Sequence, residues 1–153
     1  MINNFLEYIK VGKYQKAKDC IKDMPGERLY YFLVDLGFDT NTIPLYTFVI
    51  FLLLENETAE FHYCAAVLIA QCFVYIEGAY SMGLFHARRC VELAPNDPSY
   101  KEYLLSFYGI TDRLLSKEEA IEIATQLQQQ DPGNIAAEHF FQDIKGGIPD
   151  YLK

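Results

Sequence analysis

The chain has no tryptophan, and from Leu29 to Ala87 it has neither lysine nor arginine. The net charge of -8 argues against nucleic acid or an anionic membrane as the main partner, since both need a cationic footprint. None of the four cysteines lies in a Cys-x-x-Cys pair, and there is no His-x-x-x-His, His-Glu-x-x-His or glycine-rich phosphate loop. Metal ligation and cofactor binding therefore have no motif to rest on. The most apolar run, Ile43 to Leu54, is about 12 residues with Pro44 inside it. A bilayer needs ~20 such residues, so the run reads as a buried helix. Strand-like alternation is scarce, which leaves an all-α class.

What is present fits a folded domain. The chain has 153 residues, 51% of them hydrophobic, with 12 Tyr and 11 Phe. That is enough apolar mass for one core and too much for disorder. The net charge is -8. An acidic balance serves solubility, and it also suits a basic partner. Residues 1 to 40 carry six basic and six acidic side chains, with Lys10, Lys13, Lys16, Lys18 and Lys22 along one edge. The stretch from Leu29 to Ala87 holds only acids: Asp35, Asp39, Glu55, Glu57, Glu60 and Glu77. Such a region has no internal ion pairs, so its field points outward or its acids mark loop ends. Cys64, Cys72 and Cys90 sit among apolar neighbours, as reduced core thiols do. With polar Asn3 and Asn4 beside Met1 in place of a signal peptide, a cytoplasmic location is expected.

Helical spacing places about nine helices, expected in antiparallel pairs. The first spans about Asn3 to Val11 and the second Lys13 to Met24, stopped by Pro25-Gly26. The third spans Glu27 to Leu36 and is expected to end at Gly37. Thr42 is the expected cap of the fourth, which runs to Glu55. Thr58 caps a fifth reaching Ile76, and the sixth covers Ala79 to Ala94 before the turn Pro95-Asn96-Asp97-Pro98. The seventh runs from Pro98 to Tyr108. Ser116 and Glu119 form an expected capping box for the eighth, which ends near Gln130. Asn134 caps the ninth, ending at Gly146-Gly147, and the tail from Ile148 to Lys153 packs through Tyr151 and Leu152.

A repeat is visible in the small residues and prolines. Ala17, Ala87 and Ala124 each precede a proline (Pro25, Pro95, Pro132) by eight positions. The order Ala120, Ala124, Leu127, Pro132, and before it Gly83, Ala87, Cys90, Pro95, resembles the second helix of tetratricopeptide repeats. Leu104 and Tyr108 fall where that family favours Leu and Tyr on the first helix. The good match covers Glu60 to Ile144. The resemblance implies one TPR-like α-solenoid domain over residues 1–153. Residues 58–147 would form the helix pairs, residues 1–57 would cap or continue them, and residues 148–153 would be the tail. It also implies a concave face carrying Ser99, Glu102 and Ser106 from one unit and Ala136, His139 and Asp143 from the next. The equivalent residues one unit earlier, Ala65, Leu68 and Cys72, are apolar and expected to be covered. The stretches Phe85 to Asp97 and Lys101 to Ala120 are also similar to small helical proteins of Gram-positive bacteria associated with immunity to polymorphic toxins.

His62, His86 and His139 are isolated in the sequence, and His62 and Cys64, two apart on a helix, point to different faces. Glu118, Glu119 and Glu122 sit where carboxylates favour a helix N-terminus. The expectation is a binding protein, not an enzyme, with no cofactor and no metal. It would bind a basic protein such as a toxin domain and neutralise it. The contacts would come from Ser99, Glu102, Ser106, His139 and Asp143, with Glu57 and Glu60 from the acidic stretch. The alternative is a general scaffold that takes a short peptide in its groove.

Overall fold

The structure, a computed structural model, describes residues 2–110 and 114–146, and among them the chain is all-helical with no strand. Nine α-helices are described: α1 (Ile2–Lys10), α2 (Tyr14–Ile21), α3 (Gly26–Thr40), α4 (Pro44–Glu55), α5 (Ala59–Val67), α6 (Ala79–Leu93), α7 (Pro98–Ser106), α8 (Lys117–Gln130) and α9 (Ile135–Gly146). A π-helical turn (Leu68–Cys72) follows α5 and a 3-10 turn (Phe107–Gly109) follows α7. The expected tail contacts of Tyr151 and Leu152, together with Gly147 and residues 111–113 of the loop after α7, lie outside the described residues. The chain forms two compact units, residues 1–86 and 87–153, with the boundary inside α6.

In the first unit α1 packs on α2 and α4, α4 on α5, and α3 on α5 and the π-helical turn. Aromatic rings hold these helices together. Phe5 meets Phe32 and Phe48 edge-on at 5.2 and 5.4 Å, and Tyr14 meets Phe48 at 5.8 Å. Phe5, Ile9, Leu33, Leu45 and Phe48 are fully buried. This explains why the Ile43 to Leu54 run is apolar nearly all round: neighbours cover several of its faces.

Helix ends follow local chemistry in most places. The Thr58 hydroxyl accepts from the Phe61 amide, Asp97 from Ser99, and Asn134 Oδ1 from Ala137. Four expectations are corrected. Gly37 does not stop α3; the helix runs on to Thr40 and closes at Asn41, in the left-handed region at φ 52, whose amide donates to the Gly37 carbonyl. Gly37 is there because a side chain would not fit: a Cβ would come within 2.5 Å of Leu68 Cδ2 and 3.0 Å of Cys72 Sγ. Thr42 does not cap α4 through its side chain; its hydroxyl donates to the Thr40 carbonyl instead. The fifth helix stops short of Ile76, because the i to i+5 bond from the Phe73 amide to the Leu68 carbonyl widens the chain into a π-turn. Ser116 does accept from the Glu119 amide, but the Glu119 carboxylate is taken by Arg88 at 2.7 and 2.9 Å, a two-pronged pair stronger than the return half of a capping box.

In the second unit α7 packs on α8, α8 on α9, and α7 also meets α9. Ala120, Ala124 and Ala137 are fully buried, so small residues sit where helices come close. Tyr108 meets Phe140 edge-on at 5.2 Å.

Candidate functional site

The first unit holds a line of polar side chains buried in apolar surroundings. His62 projects from the first turns of α5 and His86 from α6, and both are nearly closed off, at 5% and 3% exposure. Their Nδ1 atoms lie 2.7 Å apart. His86 Nε2 is 2.8 Å from the Tyr46 hydroxyl on α4, and His62 Nε2 is 3.0 Å from Glu57 Oε1 just before α5. Three hydrogen bonds thus join Tyr46, His86, His62 and Glu57 in series.

The direction of this series is forced when the two imidazoles carry one hydrogen each. A carboxylate only accepts, so His62 Nε2 carries its hydrogen and donates to Glu57. His62 Nδ1 is then bare and accepts from His86 Nδ1. His86 Nε2 is bare in turn and accepts from the Tyr46 hydroxyl. Burial, and then the neighbouring His62, push the His86 pKa down to about 4, which keeps that ring uncharged at neutral pH. Burial also raises the Tyr46 pKa, so the phenol keeps its proton.

The series opens at its tyrosine end on a surface depression of about 400 Å³, lined by Tyr46 and Ile50 from α4 and by Ser81, Met82, Phe85 and His86 from α6. Phe85 packs against both histidine rings, at 6.3 and 5.2 Å between centroids. Among the described residues no three His, Cys, Asp or Glu side chains converge on one point for a metal, and the series is linear. The thiols here are inert: burial pushes the Cys64 pKa far up, Cys72 adding to it, and the Cys72 pKa up to about 11.

The residues expected to bind a partner fall in several places. Ser99 and Ser106 are exposed on α7, with their hydroxyls donating to Asp97 and to the Tyr103 carbonyl. Glu102 is half-buried and accepts from Asn134 Nδ2 at 2.6 Å, which ties it to the start of α9. His139 and Asp143 are exposed on α9. Glu57 and Glu60 are exposed in the first unit, where Glu57 is the end of the histidine series. Ala65, Leu68 and Cys72 are buried, with Gly37 of α3 lying against Leu68 and Cys72. In the sequence His62 and His86 stand isolated, and nothing marks out Tyr46. The 24 residues and the change of helix between the two histidines hide their contact, and only the long-range packing of α4, α5 and α6 brings the three together.

No protein-family model matches the chain, and no curated protein or solved structure matches it either.

Proposed function

We propose that this chain works by binding a basic protein and blocking its functional surface, in the manner of an immunity protein acting on a toxin domain. The observation that carries the reading is the outer face of α3. Tyr31 and Phe38, each 57% exposed, lie on one stripe with exposed Asp35, and Asp39 follows. Large aromatic side chains standing in water beside carboxylates, in a stretch without lysine or arginine, suit a partner that is apolar at the centre of its contact and cationic around it. Exposed Glu60 and Glu77 extend the same sign of charge. In the second unit the packing of α7 on α8 and α8 on α9 supports a tetratricopeptide-like stack, with Glu102, Ser106, His139 and Asp143 as a second, more polar contact. Among the described residues no helix is long and apolar enough to cross a membrane, and a cytoplasmic partner is part of the reading.

The test is capture of proteins from a lysate at low and high salt, run in parallel with the wild-type chain and with the double variant Asp35→Lys, Phe38→Ala. The expected result is one basic protein held in stoichiometric amount, released by salt, lost with the variant, and inactive while bound. Equal retention by both forms overturns the α3 face as the contact. Retention of several proteins sharing a tail sequence overturns inhibition in favour of a peptide scaffold.

A further inference from the structure

The two hydroxyl groups that line the depression beside the histidine series both hydrogen-bond within the chain. With one hydrogen on each imidazole the Tyr46 hydroxyl spends its hydrogen on His86, because Glu57 at the far end fixes the direction of the whole series. The second hydroxyl lining the depression is also committed: Ser81 Oγ donates to the Gly78 carbonyl at 2.8 Å, and a carbonyl can only accept. Both oxygens therefore offer only lone pairs to whatever enters. The remaining walls are apolar Ile50, Met82 and Phe85, together with His86, whose two ring nitrogens are taken up by Tyr46 and His62. The surrounding stretch from Leu29 to Ala87 carries six acids and no lysine or arginine.

We propose that the depression receives a lysine side chain of the basic partner, its stem along Ile50, Met82 and Phe85 and its ammonium donating to the hydroxyl oxygens of Tyr46 and Ser81. An ammonium needs acceptors, which two hydroxyl oxygens supply, and gains from neighbouring aromatic rings such as those of Tyr46 and Phe85. Two separate hydroxyl oxygens suit a compact ammonium better than the planar fork of a guanidinium, which matches carboxylates. The assignment rests on the reading that the partner is a basic protein, and its test does not need that partner.

The probe is Nα-acetyl-lysine methylamide, titrated onto the full chain while the Met82 methyl and Phe85 ring signals are followed by NMR. Saturable shifts are expected with a Kd on the order of 1–10 mM, near the limit of what one small group can gain. The Nε-acetylated form of the same probe keeps the stem, loses the charge, and is expected to bind at least fivefold more weakly. Tyr46→Phe and Ser81→Ala should each weaken the lysine probe several-fold. Ser81 is exposed, so its variant reports on the site even where Tyr46→Phe disturbs the fold. Equal binding of the charged and acetylated probes, or full affinity in the Ser81→Ala chain, overturns the proposal. Binding of n-butylammonium tenfold tighter than the lysine probe overturns lysine as the source in favour of a free amine. A chain that binds the lysine probe but retains no basic protein keeps the site and loses the proposed function. A chain that retains a basic protein but ignores the probe does the reverse.

Discussion

Tyr46 is the residue where structure and chemistry meet most closely. Its hydroxyl is the donor that His86 Nε2 depends on, and His86 is buried. Tyr46→Phe leaves that nitrogen facing an apolar ring, and a stranded buried acceptor costs about 1–3 kcal/mol. Urea unfolding should show that loss with an unchanged m-value. Acid should act on the same residue. The His86 ring is held below its unfolded pKa by burial and by His62, so the unfolded chain binds more protons between about pH 6.5 and pH 4. Stability is therefore fully present above pH 6.5 and falls as the pH drops through that window, by up to roughly 3 kcal/mol. The groups facing the ring are Tyr46 and His62, with Glu57 beyond His62. Unfolding free energies measured across this window should show the slope, and His86→Gln should flatten it. None of this was legible in the sequence, which shows three scattered histidines. The series exists only because α4, α5 and α6 deliver one member each, with Glu57 just ahead of α5, and no local pattern encodes that.

At the scale of the helix, the legible parts were those decided within four residues. Thr58, Ser116 and Asn134 cap the helices that their positions announce, because a cap is a bond between near neighbours. Gly37 shows the opposite case. Read locally, it is a helix stop; in the fold it lies inside α3 because Leu68 and Cys72 need the space. Gly37→Ala would raise helix propensity, worth up to about 1 kcal/mol. It should nevertheless destabilise, by about 1–3 kcal/mol, because Leu68 is fully buried and has little room to yield. A rise in Tm for this variant would mean that the π-turn side of the contact is softer than its geometry indicates. Ser116→Ala should cost about 1 kcal/mol and leave the Arg88–Glu119 pair in place.

For the molecule as a whole, helical spacing announced the all-α class, because an amphipathic face repeats with the helical period. Phe48→Ala, in the fully buried centre of the first unit, should cost about 3–5 kcal/mol, and Leu127→Ala in the second about 2–5 kcal/mol, both read from urea curves. The repeat of alanines before prolines was legible because helices that approach closely need small residues at regular steps. Which acids would be tied up in pairs was not legible. Glu55 meets Lys18 at 2.5 Å and Glu102 meets Asn134, pairings that depend on segments more than 30 residues away. Self-repulsion at a net charge of -8 should make the fold firmer in moderate salt, and a rise in Tm between 10 and 200 mM sodium chloride, on the order of a few degrees, would register it.

The 2.7 Å approach of the two Nδ1 atoms has an arithmetic consequence. Room exists between them for one hydrogen, so the two rings can share a single added proton and cannot accept two while the contact lasts. That added proton reverses the series: His62 then donates to His86, His86 to Tyr46, and the tyrosine hydroxyl is released to face outward as a donor. The folded form therefore admits two hydrogen-bond directions along this series and no third. Imidazole nitrogen spectra recorded down to the onset of unfolding would tell the two apart.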